Sequence, residues 1–307
     1  MSEFSVANVT TTSTTAPADR ASISVAGRER TFTVVGAKDS PRRRDLVLIF
    51  HGSKQTGDAH RAFTGRSFDA TTAGDGAVVV YLDGHRGNWN DARKESFFPA
   101  RLENIDDVAF ARAVIAQLER SHGIDPTRVF AIGYSNGGQM VMRLVHEIGD
   151  QLAGAAIFSA TMPSPDSFLA PSPAVGTVAM PILLIHGTKD PIVPFAGGTM
   201  SGWARRLFKV GGTTLSMEDT AEYFARRNGI TATPKITSGA RSAAAKTWAD
   251  ETDYVQAGHP SVRLLTVHGG GHTIPGPRKG PFILGRTNQN VSAAAVAAEF
   301  LGIGANS

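Results

Sequence analysis

Ser135 stands between Gly133 and Gly137 in the run AIGYSNGGQM, directly after the apolar stretch RVFAI and directly before GGQMVMRLVHEI, which has helical periodicity. A serine hydroxyl is a poor nucleophile at neutral pH, and it attacks a carbonyl only when a base takes its proton and an acid orients that base. G-x-S-x-G on a sharp strand-to-helix turn is a pattern that meets this need, with an Asp or Glu and then a His expected downstream. Asp190 follows the apolar run PILLI in PILLIHGTKDPIVP, which puts it just past the carboxyl end of a strand, where open parallel sheets gather their sites. Of nine histidines, His272 is the expected base, because it lies in the glycine-rich loop after VRLLTVHGG and before the last helical segment. His268, His186 and His51 stand at strand ends and read as packed structural residues. Attack places negative charge on the carbonyl oxygen, and a pair of backbone N–H groups would stabilise it. The N–H of Asn136 is one expected donor. The other should come from HGSKQTG after LVLIF, with Ser53 preferred and Lys54 as its neighbouring alternative.

Holding three such side chains together requires a rigid frame. ASISVAG and RTFTVVGA alternate as a two-strand ribbon, whereas LVLIF, AVVVYL, RVFAIGY, AGAAIFSA, PILLIHG and VRLLTVHGG are continuous apolar runs, as expected of strands covered on both faces. Helices are expected between them. In NIDDVAFARAVIAQLERSHGI, Val108, Ala111, Ile115 and Leu118 form one stripe, with Asn104 as the expected cap, Asp106 and Asp107 at the positive end and Gly123 as the stop. SMEDTAEYFARRNGI, opened by Ser216 and closed by Gly229, and SAAAVAAEFLGI are two more. Strands alternating with helices predict an α/β fold with a mainly parallel central sheet flanked by helices on both faces.

The expected organisation is a disordered Thr-rich lead over residues 1–20 and one catalytic domain over 21–307, with irregular insertions at about 86–103 and 160–215. Those insertions carry Trp89, Phe97, Phe98, Trp203 and Phe208, which could wall a substrate site or pack loops onto the sheet. The chain has 307 residues, 41% of them hydrophobic and 19% charged, which suffices for a large core. A net charge of +4 without a basic, aromatic-rich face gives no reason to expect a nucleic-acid partner. With no cysteine, thiolate zinc sites, disulfides and a cysteine nucleophile are excluded. Histidine and carboxylate spacings match neither a zinc nor a calcium pattern, so neither a metal nor another cofactor is expected. No apolar run reaches the ~18 residues of a membrane span. The opening residues lack the pattern of a signal peptide, so the expected location is extracellular if a presequence was removed and cytoplasmic otherwise.

Six segments together, LIFHGS at 48–53, DGHRGNWND at 83–91, NIDDVAFARAVI at 104–115, GYSNGG at 133–138, HGTKDPIVPF at 186–195 and GGGHTIPG at 269–276, resemble the polyhydroxybutyrate depolymerases and the feruloyl and acetylxylan esterases of the α/β-hydrolase fold. That resemblance implies a serine esterase acting on feruloyl, acetyl or short hydroxyalkanoate esters, small or polymeric, with Ser135, Asp190 and His272 as triad and Ser53 with Asn136 at the oxyanion. It implies that Trp89 and Asn90 line or support the cleft. Ile274 stands where the family commonly has Trp, at a wall of the pocket, and Ser53 where many relatives have a cysteine. The same triad would also serve an acyltransferase, and the same fold a catalytically idle binding module.

Overall fold

The computed structural model describes residues 18–38, 40–169, 177–200, 202–208, 210–241 and 245–305. Strands β1 (Ala18–Val25) and β2 (Arg28–Val35) form the expected antiparallel ribbon. Its start at Ala18 falls inside the stretch read as a lead, and residues 1–17 lie outside the described residues. Then follow β3 (Arg44–Phe50), α1 (Gly57–Phe63), β4 (Ala77–Leu82), α2 (Pro99–Leu102), α3 (Asp107–His122), β5 (Ile124–Tyr134), α4 (Asn136–Glu147), β6 (Gly154–Phe158) and β7 (Ile182–Gly187). The chain continues through α5 (Gly202–Phe208), α6 (Met217–Arg227), β8 (Lys235–Ser238), β9 (Trp248–Tyr254), β10 (Val262–His268) and α7 (Ala293–Leu301).

All ten strands join one sheet in the order β1-β2-β4-β3-β5-β6-β7-β10-β9-β8. The run from β4 to β10 is parallel, and both edges are antiparallel. Successive residues of a strand face opposite sides, and here both sides are apolar. Leu46, Leu48 and Phe50 of β3 join the layer packed by α3, α4 and α6, while Val47 and Ile49 join the layer under α7.

One expectation needed correction, and two strands were not anticipated. Asp106, not Asn104, caps α3 through the Ala109 N–H, and Asn104 instead takes a left-handed turn at φ 48°, a conformation asparagine tolerates better than most residues. Strands β8 and β9 carry no apolar run. KITS is mostly exposed and WADETDY half-buried at the sheet edge; β9 takes its order from pairing with β10 and β8 from pairing with β9, so their composition hid them.

Several histidines are locked into the frame as neutral rings. His51 donates from Nδ1 to the Gly52 carbonyl at 2.7 Å and accepts the Gly84 N–H on Nε2 at 2.9 Å, which leaves no place for a second proton. His146 donates from Nδ1 to the Met142 carbonyl and takes the Tyr223 hydroxyl on Nε2, both at 2.6 Å. His60 faces the Gln55 side chain and stacks on Tyr134. Burial lowers all three, His51 and His146 to about 4 and His60 to about 3, with the neighbouring His51 adding to the last. Since the folded values lie below the ordinary 6.5, their contribution is complete above pH 6.5 and is lost as pH falls through the window from 6.5 to about 4. By pH 5 each group should remove about 2 kcal/mol. Urea unfolding at pH 7.5 and pH 5 should therefore differ by several kcal/mol, and equal stability at the two pH values would contradict buried neutral rings.

Candidate active site

The carboxyl ends of the parallel strands converge on one cleft. At the end of β5 the backbone turns sharply into α4 through Ser135, which takes φ 55° and ψ −116°. The flanking glycines allow this turn by close approach: a Cβ on Gly133 would sit 2.2 Å from the Gly137 carbonyl oxygen, and one on Gly137 would sit 2.0 Å from that of Phe50. Ser135 Oγ lies 2.8 Å from Nε2 of His272, and Nδ1 of His272 lies 2.6 Å from Oδ2 of Asp190. The structure thus brings together the three side chains expected from residues 135, 190 and 272.

Asp190 has no solvent exposure of its side chain. Burial alone would push its carboxyl up, but the charge of His272 and hydrogen bonds from His186 and His272 outweigh that and hold it well below the usual carboxylate range. Its other oxygen accepts the N–H groups of Ile192 and Val193, each at 2.8 Å. His186, expected to be structural, sits with Nε2 2.9 Å from the Val193 carbonyl and 3.3 Å from Asp190 Oδ2. It backs the acid rather than competing for the serine. His268 is engaged elsewhere, 2.8 Å from Asp250 and stacked on Trp248. Tyr134, the residue between Gly133 and Ser135, donates its hydroxyl to the His272 carbonyl at 2.7 Å and lays its ring 5.1 Å from the imidazole. The pattern gives no hint of that role, because it leaves the residue before the serine free.

Asn136 is the first residue of α4, where the amides of the first turn have no carbonyl within the helix. Ser53 lines the same cleft, and the Lys54 N–H is committed to the Gly87 carbonyl at 2.7 Å, so Lys54 drops out as an oxyanion donor. Trp89, Asn90 and Ile274 do not line the cleft: Trp89 is fully buried, and the other two nearly so. Trp89 braces it from behind. Its indole N–H donates to the His51 carbonyl at 2.9 Å, and its backbone N–H donates to the Asn136 side chain at 2.9 Å, so one residue ties the loop after β3 to the start of α4. Asn90 holds α3 instead, through the Asp107 carboxylate at 2.7 Å and the Ile105 carbonyl at 2.8 Å. Ile274 packs into the apolar layer under α7, since the chain turns down into the sheet after His272.

The cleft itself, about 330 Å³ with its open mouth, is walled by Phe98, Ala160, Ile192, Val193, Met200 and Val210, with Arg93 and Gln139 as polar members. Arg93 is paired with Asp91, which also accepts from the Asn136 amide at 2.6 Å. Of the insertion aromatics whose side chains are described, only Phe98 reaches the cleft. Phe97 and Trp203 are exposed, and the Phe208 side chain lies outside the described residues. Among the described residues no group of three or more His, Asp or Glu is arranged to hold a metal ion, and no helix is long and apolar enough to cross a membrane.

A mainly parallel sheet with helices on both faces and a serine turn at its carboxyl edge defines an α/β-hydrolase. The fold superposes on that of an acetyl xylan esterase from Aspergillus awamori with a TM-score of 0.60, at 14% identity and covering 89% of this chain and 94% of the other. Residues 80–219 match the family described as Phospholipase/Carboxylesterase. Over 291 residues, 90% of this chain and 80% of the other, it is 33% identical to a protein named "Putative esterase NocK" of Nocardia uniformis subsp. tsuyamanensis. It is 28% identical over 233 residues to feruloyl esterase B of Piromyces equi, covering 74% of this chain but 39% of that longer protein. Sharing a third of its residues with the Nocardia uniformis protein over most of both lengths, the chain belongs to the same family of α/β-hydrolase esterases and is a serine carboxylic-ester hydrolase by class.

The brace at Trp89 makes a kinetic prediction. Trp89→Phe keeps an aromatic ring but leaves the buried His51 carbonyl without its donor, a loss of about 1–3 kcal/mol. Steady-state kinetics on a soluble ester should show kcat lowered by roughly 5- to 100-fold with KM nearly unchanged. A change confined to KM would mean that Trp89 touches substrate instead.

Proposed function

We propose that the chain hydrolyses short carboxylic esters through an acyl-enzyme, with Ser135 as nucleophile, His272 as general base and then acid, and Asp190 orienting the ring. The carrying observation is the unbroken hydrogen-bond chain from Asp190 through His272 to Ser135, at 2.6 and 2.8 Å. As Oγ bonds to the ester carbon, its proton moves to Nε2, and the imidazolium is stabilised by the ionised Asp190. The carbonyl oxygen becomes an oxyanion within reach of the N–H groups of Ser53 and Asn136. Collapse of this adduct breaks the bond to the alcohol oxygen, which leaves with the proton from Nε2. Water then repeats the sequence, its proton passing to Nε2 and on to Oγ as the acid is released.

The cleft supports a small or flat acyl group. Its wall is apolar at Phe98, Ile192, Val193, Met200 and Val210, and beyond Ser53, Ser135 and Asn136 its polar members are Arg93 and Gln139. Acetyl, short hydroxyalkanoyl and feruloyl esters fit that chemistry, in keeping with the names of the acetyl xylan and feruloyl esterases the chain resembles.

The purified protein should cleave p-nitrophenyl acetate and butyrate with an initial burst of nitrophenol equal to the enzyme present, and a fluorophosphonate should label it at Ser135. Ser135→Ala should lower kcat by about 10⁴-fold or more, and Asp190→Asn by about 10³- to 10⁴-fold. Wild-type turnover by Ser135→Ala would remove the mechanism, and unlabelled native protein would favour an idle binding module.

A further inference from the structure

Phe282 is 99% exposed and Ile283 67%, side by side on a short 3₁₀ turn that ends at Leu284. A single apolar side chain in water is ordinary, but this pair projects from a rigid mount. The Leu284 N–H returns to the Pro281 carbonyl at 3.0 Å and the Gly285 N–H to that of Phe282 at 2.9 Å. The carbonyls of Leu284 and Arg286 accept the N–H groups of His272 at 2.6 Å and Gly271 at 2.9 Å. The apolar tip is therefore an outgrowth of the loop that carries the catalytic histidine.

The chain on either side of it is positively charged. Arg278 and Lys279 precede the turn and Arg286 follows it, all three exposed, and no Asp or Glu occurs anywhere from residue 254 to 298. Leu284 and Met200 pack on the same pair, Ile192 and Val193, so the segment leading into α5 lies beside the turn at the cleft. Exposed on α5 are Trp203, Arg205 and Arg206, and residues 191–217 likewise contain no acid.

We propose that this face docks on an anionic lipid–water interface, with Phe282 and Ile283 entering the acyl-chain boundary and the basic side chains at the headgroups. Apolar tips rimmed by Lys and Arg bind such surfaces through buried area and charge together. A sugar polymer fits less well, because it is gripped by a flat aromatic platform and the aliphatic Ile283 beside Phe282 offers none. Docking would set the cleft mouth against the interface. It goes beyond the esterase mechanism and does not require it.

Sedimentation with vesicles of phosphatidylglycerol or of phosphatidylcholine tests the proposal on the intact chain. The protein should partition onto phosphatidylglycerol about tenfold or more strongly than onto phosphatidylcholine, less so as salt rises from about 0.1 to 0.5 M. The double variant F282S/I283S should lose about tenfold in partitioning while hydrolysing dissolved p-nitrophenyl acetate and unfolding thermally like the wild type. The charge variant K279E/R286E should also bind the anionic vesicles more weakly. Wild-type protein left in the supernatant, unaltered binding by F282S/I283S, or binding to polygalacturonate in place of vesicles would each overturn the proposal. Vesicle binding by a protein with no ester turnover would sink the mechanism and leave the docking face standing.

Discussion

A carboxylate with no access to water has to be held charged at the back of this site, and much of the architecture is organised around it. Asp190 loses hydration by burial and is compensated on both oxygens: Ile192 and Val193 amides on one, His272 and His186 rings on the other. Four partners from three segments fix its orientation as well as its charge. The loop after β7 has to fold back tightly to supply two of them, and the glycine loop after β10 has to come close to supply a third. Gly187 permits that approach, because a Cβ there would lie 2.4 Å from the carbonyl oxygens of Gly270 and Gly271. The acid, the base and the strand ends that carry them are thus one packing problem.

The proposed oxyanion side is a second such problem, solved with neutral groups. The loop after β3 and the first turn of α4 belong to different segments, and their amides help one oxygen only if their spacing is fixed. Trp89 spans them with two hydrogen bonds, and the Asn136 side chain is clamped between Trp89 and Asp91. Full burial makes these bonds stiff, since breaking one strands a polar group away from water. It also explains why Trp89, expected to line or support the cleft, supports it from behind.

Much of this was legible in the sequence, for identifiable reasons. The apolar runs marked the parallel strands because those strands are buried on both faces, and Ser135, Asp190 and His272 were legible because each follows such a run. His272 was preferred over His268 because the glycines before it release the chain from the strand, and its ring lies 2.8 Å from Ser135 Oγ. What could not be read were features set by tertiary pairing: the polar edge strands β8 and β9, the hydroxyl of Tyr134 on the His272 carbonyl, and the inward turn of Ile274. Asn104 misled because its side chain suits a helix cap and a left-handed turn equally, and only the carboxylate of Asp106 reaches the Ala109 amide.

A chain without cysteine must hold its irregular segments by other means, and the stretch at 86–103 does so with buried charge. Arg30 on β2 pairs with Asp107 at 2.7 Å, whose second oxygen takes the Asn90 amide. Arg93 pairs with Asp91, and Arg101 donates to the carbonyls of Asp91 and Arg93. Unlike a disulfide, which acts largely on the unfolded chain, such pairs act within the folded state. They are costly to desolvate, and removing one partner abandons the other without water. Their value here is positional: each charge in the network has one set of partners within reach, and that set places Asp91 against Asn136 and Trp89 against His51. A loop outside the sheet's regular order is thus specified by electrostatics, and the proposed oxyanion amides inherit that specification.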